Sequence, residues 1–191
     1  AKALTIGDGL TGAQIGPVVN EKQRDNTAYY VKVGIEEGAT LALGGAPHTE
    51  GDCAQGWFYK PTVFTNVKPG MRIEQEEIFG PVLSIITVNG AEEAIDVLND
   101  TRYGLSSSIY TADITIAMRA IRDIEAGITY INGPTIGAEV HLPFGGVKET
   151  GNGHREAGKT VLDIFSEWKS VYIDYSGRLQ RAQIDTESLT A

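Results

Sequence analysis

The amino-acid sequence predicts an α/β chain built on a parallel sheet with crossover helices, and three observations predict it. Between Val82 and Ile131 the pattern alternates strand, helix, strand, helix, strand. The links between those segments are short, as parallel pairs with helical crossovers require. Hydrophobic residues make up 41% and charged residues 21% of the 191 positions, the balance of a chain that can bury a core.

In chain order, the first twenty residues hold Gly7, Gly9, Gly12, Gly16 and Pro17 and follow no preceding element. A piece of a larger domain is expected to begin this way. Asn20 then stands at a helix cap with Gln23 three places on. Ala28, Val31 and Ile35 fall near one face, and Gly38 closes the segment. A short strand at Thr40 to Leu43, a polar loop from Gly44 to Gly56 and an extended stretch from Trp57 to Phe64 come next. Pro61 places an edge or a bend in that stretch.

Val82 to Val88 is an apolar, β-rich run, and Ala91, Ala94, Ile95 and Leu98 recur at helical spacing. Leu105 to Tyr110 is extended. Asp113 caps a helix whose Ile114, Ala117, Met118, Ile121 and Ile124 form one apolar stripe, ended by Gly127. Ile128 to Ile131 is a further strand. Ligands in such sheets bind beyond the carboxyl ends of the strands, here the loops after Val88, Tyr110 and Asn132. The last loop, Gly133 to Gly146, carries two prolines and four glycines. A helix is expected around Glu156 to Phe165. Trp168 to Tyr175 alternates as a strand, and the tail from Ser176 is polar. A terminal strand needs a pairing partner, and a second subunit is the natural one.

Composition also excludes classes. Sixteen Lys and Arg against 25 Asp and Glu give a net charge of -9, which disfavours a nucleic-acid partner. No apolar run reaches membrane-spanning length, and the first residues carry no signal-peptide pattern. One cysteine allows no internal disulfide, which suits a reducing cytoplasm, and the Asn99-Asp100-Thr101 sequon is read as chance.

Gly7-Asp8-Gly9-Leu10-Thr11-Gly12 matches the GxGxxG string of dinucleotide-binding turns. It lacks the strand before and the helix start after that the mechanism needs, so it reads as a loop. Cys53 lies in a polar turn with two nearby acids and no helix start, surroundings that do not favour a thiolate nucleophile, and it reads as a surface or half-buried bystander. His48, His141 and His154 have no metal-ligand spacing, and no metal is expected. Glu74-Gln75-Glu76-Glu77-Ile78-Phe79-Gly80-Pro81 admits two readings. One is a solvated helix end. The other is a carboxylate beside an exposed ring at a strand entrance, suited to a sugar hydroxyl pair next to a flat heterocycle.

EEIFGPV, followed by YINGPTIGAEVHLPFGGVKETGNGHREAG and supported by IGPVVNEKQ and WFYKPTVF, resembles the aldehyde dehydrogenase superfamily. The likeness runs to about Asp174. It implies a partial catalytic domain over residues 1–166, an oligomerisation strand over 167–175 and a polar tail over 176–191. It further implies NAD or NADP as cofactor, an aldehyde substrate, and a homo-oligomer joined through Val171 to Ile173. By the resemblance Glu77 hydrogen-bonds the nicotinamide ribose, Phe79 packs by the nicotinamide, and Gln23 reaches a cofactor ribose. A lysine frequent in the family three places after Gln23 is Asn26 here.

Asn132, Thr135 and Ile136 resemble the substrate-lining segment, which continues to Leu142. Phe144 resembles the aromatic beside the aldehyde tunnel, and Glu156 an acid that orders the hydrolytic water or relays its proton. Lys148, Gly145 and Gly146 are read as shaping the loop. The family's cysteine nucleophile, general base and Rossmann domain have no counterpart in the chain. The expectation is therefore a C-terminal fragment, inert alone, that needs its missing N-terminal half. The alternative is a non-catalytic structural or regulatory module that reuses the fold.

Overall fold

The computed structural model describes residues 1–177; the polar tail lies outside the described residues from position 178. The GxGxxG string is a loop, as expected. Gly9–Thr11 make one turn of 3-10 helix capped by Asp8, and Gly12 leaves it at φ 85°.

The first long element is α1 (Glu21–Glu36), started by the Asn20 side chain, which accepts from the Gln23 amide at 2.9 Å. Gly38, at φ 93°, ends the segment. Val31 is buried as expected, but Ile35 is half-exposed. Gly34 faces inward instead, where a Cβ would come within 2.9 Å of Ile73 and 3.2 Å of Phe64. The helix closes on the core at its glycine, and that approach turns Ile35 outward.

Three strands, β1 (Thr40–Leu43), β2 (Thr62–Thr65) and β3 (Val82–Ser84), form one sheet in the order β1-β2-β3. The β2–β3 pair is parallel, with the single helical turn α2 (Arg72–Gln75) in its crossover. The β1–β2 pair is antiparallel. The loop joining it contains a 3-10 turn at Gly51–Gln55 and folds back through a bridge between Pro47 and Tyr59. Pro61 sits immediately before β2, where its missing N–H breaks no ladder bond. Val31, Ala39, Tyr59, Phe64, Val67, Ile73 and Ile78 bury together between this sheet and α1. Cys53 is buried too, which corrects the surface or half-buried position expected of it.

A second parallel pair, β4 (Ser106–Ile109) and β5 (Ile128–Ile131), is joined by α4 (Ile114–Asp123) and preceded by α3 (Ala91–Asn99). These crossovers bear out the α/β class, although the strands divide between two sheets. Backbone groups just before β4 are taken by the Val147–Thr150 turn. Val147 donates to the Gly104 carbonyl at 2.9 Å and Glu149 to that of Arg102 at 2.9 Å. Gly104 itself donates to Thr150 Oγ1 at 3.1 Å.

Asp113 caps α4 as expected, accepting from Thr115 and Ile116. The apolar stripe of α4 is not buried as one face. Ala117, Ala120 and Ile124 pack inward, while Ile114, Met118 and Ile121 stay 73%, 58% and 54% exposed. Small side chains bring α4 close to Ile95 of α3, and the large ones point away.

The helix expected from Glu156 is reduced to α5 (Val161–Phe165) behind a 3-10 turn at Gly158–Thr160. Glu156 pairs its backbone with Phe144 across an antiparallel bridge, and Ala157 and Gly158 follow with positive φ, so no helix can begin there. Residues 166–175 carry no strand among the described residues. Trp168, Val171, Tyr172, Ile173 and Tyr175 are exposed there.

Candidate cofactor and substrate site

The turn between α2 and β3 carries the Glu77 and Phe79 side chains. Arg72 and Glu76 stand one helical turn apart and form a two-pronged ion pair, with Arg72 Nε to Glu76 Oε1 and Nη2 to Oε2 both at 2.8 Å. The Tyr30 hydroxyl donates to Glu76 Oε2 at 2.7 Å. These donors, Arg72 first, hold the Glu76 carboxyl at about 2, well below its ordinary value. The same contact pushes the Tyr30 hydroxyl up.

With Glu76 fixed, Glu77 next to it is exposed. Phe79 is 74% exposed and adopts φ 55°. That left-handed backbone costs a residue other than glycine about 1–3 kcal/mol, and such strain gathers at functional sites. Asn132, Lys148 and Ala157, all near the loops that follow, share it.

Glu77 borders a cavity of about 480 Å³ together with Glu76, Tyr103, Leu105, Glu149 and Thr150. Phe79 lines a neighbouring recess with Ile73, Val82 and Ile86, and Glu76 borders both. An acceptor-only carboxylate beside an exposed flat ring fits a ribose hydroxyl pair next to a heterocycle.

A second cavity, of about 440 Å³, is lined by Phe144, Glu156, His154 and Ile164 and shares Leu105 and Thr150 with the first. Phe144 and Glu156 meet through reciprocal backbone bonds of 2.6 and 2.9 Å. The loop that holds them is seated on glycine: a Cβ on Gly127 would stand 1.8 Å from the Gly145 carbonyl oxygen. Lys148 anchors the far end of this loop. Its Nζ donates to the Asn99 and Thr101 carbonyls at 2.6 and 3.1 Å and pairs with Glu125 at 2.8 Å. That cation sits at the C-terminal end of α3, where it is favoured.

The structure thus gathers Phe144 and Glu156 around one cavity and sets Glu77 on the next. Thr135 and Ile136 are exposed on the intervening loop and border neither. Asn132 also borders neither. Its amide is engaged at both ends with the Thr111 backbone, at 2.8 and 2.9 Å, tying the end of β5 to the end of β4. The Tyr130 hydroxyl pins the loop by donating to Gly137, and Ser108 holds the Gly133 carbonyl at 2.5 Å.

Gln23 departs from expectation most. Its Nε2 donates to the carbonyls of Ile78 and Phe79, at 3.0 and 2.8 Å. Only Oε1 of that amide is left to meet a ribose hydroxyl. Asn26, in place of the frequent lysine, donates to the Ile78 carbonyl at 3.1 Å.

Among the described residues no group of His, Cys, Asp or Glu could hold a metal, and Cys53 lines neither cavity. Sequence reasoning missed the Arg72–Glu76 clamp, which an i,i+4 Arg-Glu spacing could have signalled. The anchor agrees with the reading of Lys148 as shaping the loop, but nothing local signals its partners Asn99, Thr101 and Glu125.

Three comparisons bear on this arrangement. Residues 1–171 match the family model described as Aldehyde dehydrogenase family. The alpha-ketoglutaric semialdehyde dehydrogenase of Bacillus subtilis strain 168 is 40% identical over 173 residues, which are 90% of this chain and 36% of that one. The betaine aldehyde dehydrogenase of Brucella anthropi is 43% identical, over 91% of this chain and 35% of its own. A crystal structure of Mycobacterium tuberculosis aldehyde dehydrogenase complexed with NAD+ superposes with a TM-score of 0.85 at 40% identity, covering 93% of this chain and 36% of that one. The chain therefore spans about a third of the length of these relatives. Agreement of fold, matched extent and identity at this level leaves one assignment: the chain belongs to the aldehyde dehydrogenase family.

Proposed function

We propose that the chain is the part of a longer NAD(P)-dependent aldehyde dehydrogenase that faces the nicotinamide ribose and lines the aldehyde's approach. The observation that carries this reading is the clamped turn presenting an exposed carboxylate at Glu77 and an exposed ring at Phe79. In this role Glu77 accepts hydrogen bonds from the ribose hydroxyls and Phe79 lays its ring beside the nicotinamide. The bound cofactor supplies the hydride acceptor.

Phe144 gives the aldehyde an apolar wall. Glu156 orders the water that releases the acyl group as a carboxylate, or relays its proton. Thr135 and Ile136 join the substrate lining from their exposed loop, with Asn132 supporting that loop from the strand end. The cysteine that attacks the aldehyde and the base that activates water belong to the remaining two-thirds of such a protein, and the 191-residue chain alone is inert.

Two relatives bear the names of semialdehyde and betaine aldehyde dehydrogenases, which brackets the substrate class as an aldehyde or semialdehyde. The exposed Val171 to Ile173 segment pairs with a second copy, so that its backbone groups find ladder partners. The reading includes a cytoplasmic location, which a single cysteine with no internal disulfide suits. No helix among the described residues is long and apolar enough to cross a membrane.

The test is aldehyde-dependent reduction of NAD or NADP by the full-length protein, followed in wild type and in Glu77→Gln. Turnover with a raised cofactor KM in the variant is the expected result. No turnover with any aldehyde, together with no cofactor binding, removes the reading in favour of a non-catalytic module.

A further inference from the structure

One face of α1 is fitted to the turn that carries Glu77 and Phe79. Gln23, Asn26, Thr27 and Tyr30 stand at i, i+3, i+4 and i+7, the set that shares a side of a helix. Each meets the segment 76–80. Gln23 and Asn26 donate to its carbonyls, and Tyr30 donates to Glu76. Thr27, fully buried, lies against Gly80, where a Cβ would come within 2.4 Å of Thr27 Oγ1. The Thr27 hydroxyl in turn donates to the Gln23 carbonyl at 2.9 Å, closing the set on itself.

The pattern of acceptors says what this face does. The Ile78 carbonyl lies in the peptide plane before the Phe79 Cα, and the Phe79 carbonyl lies in the plane after it. The φ and ψ of Phe79 are the rotations that relate those two planes. One amide, that of Gln23, grips both, and Asn26 grips the first a second time. Phe79 is also the residue held at φ 55°, with most of its ring in solvent. The hydrogen bonds to the two carbonyls that flank its Cα all come from α1.

We infer that Gln23 and Asn26 are positioning residues that set the left-handed backbone of Phe79 and thereby aim its ring at the cofactor. The inference rests on the reading that Glu77 and Phe79 face a nicotinamide cofactor. It assigns Gln23 an action through Phe79 by its Nε2, besides the ribose contact for which Oε1 remains. Asn26 likewise acts through Phe79, from the position where the family frequently has lysine.

The experiment uses the full-length protein with 4-fluorophenylalanine placed at position 79 and reads the fluorine NMR signal without cofactor, then the NAD Kd by calorimetry. Gln23→Leu removes both donors. Asn26→Ala removes one and tests the same point if Gln23→Leu does not fold. Melting temperature is followed for each. The expected result is a shifted or broadened fluorine signal in both variants, larger for Gln23→Leu. NAD should bind roughly tenfold more weakly in Gln23→Leu, the loss expected of one or two hydrogen bonds. Glu77→Gln should weaken NAD binding and leave the fluorine signal in place.

An unchanged fluorine signal in the folded Gln23 and Asn26 variants overturns the inference, whatever happens to NAD. A moved signal with NAD affinity unchanged in all three variants overturns the cofactor reading instead. The two failures are therefore told apart by which measurement stays still.

Discussion

Around the Glu77–Phe79 turn the protein packs seven buried residues, with Tyr59, Phe64 and Val67 at their centre, and the helix behind the turn is fastened to it by side chains. The smaller cluster of Ile95, Ala120 and Ile124 joins α3 to α4 and lines no part of the cavity around Phe144 and Glu156. There the chain is held by backbone meeting backbone: Gly127 on Gly145, Phe144 on Glu156, Val147 on Gly104. The first region rests on apolar surface buried beneath it. The second keeps its shape by close contacts that tolerate no added atom, while large apolar side chains of α4 and α5 remain in solvent. Two sides of one candidate site thus differ in what can damage them.

The sharpest way to break this contrast is Gly127→Ala. The added methyl meets a backbone oxygen that cannot swing aside, so a loss at or above about 3 kcal/mol is expected, the upper end for overpacking. Chemical denaturation checks it, and a loss under about 1 kcal/mol would show that the loop can give way. Glu77→Gln comes next and should leave stability alone, because the residue is exposed. In the full-length protein it should weaken cofactor binding by about 1.5–3 kcal/mol, the worth of a hydrogen bond to a charged group. Steady-state kinetics with varied cofactor reads this out, and an unchanged KM and kcat would remove Glu77 from the site.

A pH effect sharpens the picture of the clamped turn. Glu76 titrates at about 2 when folded and near 4.5 ordinarily, so folding lowers its pKa. Its contribution to stability is present above the ordinary value and is lost as pH falls through that window toward 2. Wild type and Glu76→Gln should therefore differ in denaturation midpoint near neutral pH and converge in strong acid. A gap that persists in strong acid would show that the Arg72 pairing is not its source. The smallest effect is expected on α4. Ile114→Ser and Met118→Ser should change the stability of the 191-residue chain by no more than about 0.5 kcal/mol, as befits exposed positions. A larger loss would mean that those side chains are covered in solution.

Much of this was legible in the letters, and what was not has physical reasons. Helix starts at Asn20 and Asp113 are local events, settled by one side chain and two or three amides, and both stand where expected. The parallel crossovers follow from short links and alternating elements. Which side of a helix turns inward is not local. Ile35 and Met118 lie on apolar stripes, yet Gly34 and Ala120 allow closer approach and take the inner face. The helix expected from Glu156 fails because Phe144, twelve residues back, takes its backbone. The double grip of Gln23 on Ile78 and Phe79 joins residues more than fifty positions apart, and no spacing rule reaches that far.

Leu105 and Thr150 each face both cavities. A change at either position alters two chambers in one stroke, so neither can be retuned there without touching its neighbour. Glu77 and Glu156 each border a single chamber and can vary separately. Divergence of such a protein toward a new aldehyde, or redesign for one, has freedom at the floors of the two rooms but very little in the partition between them.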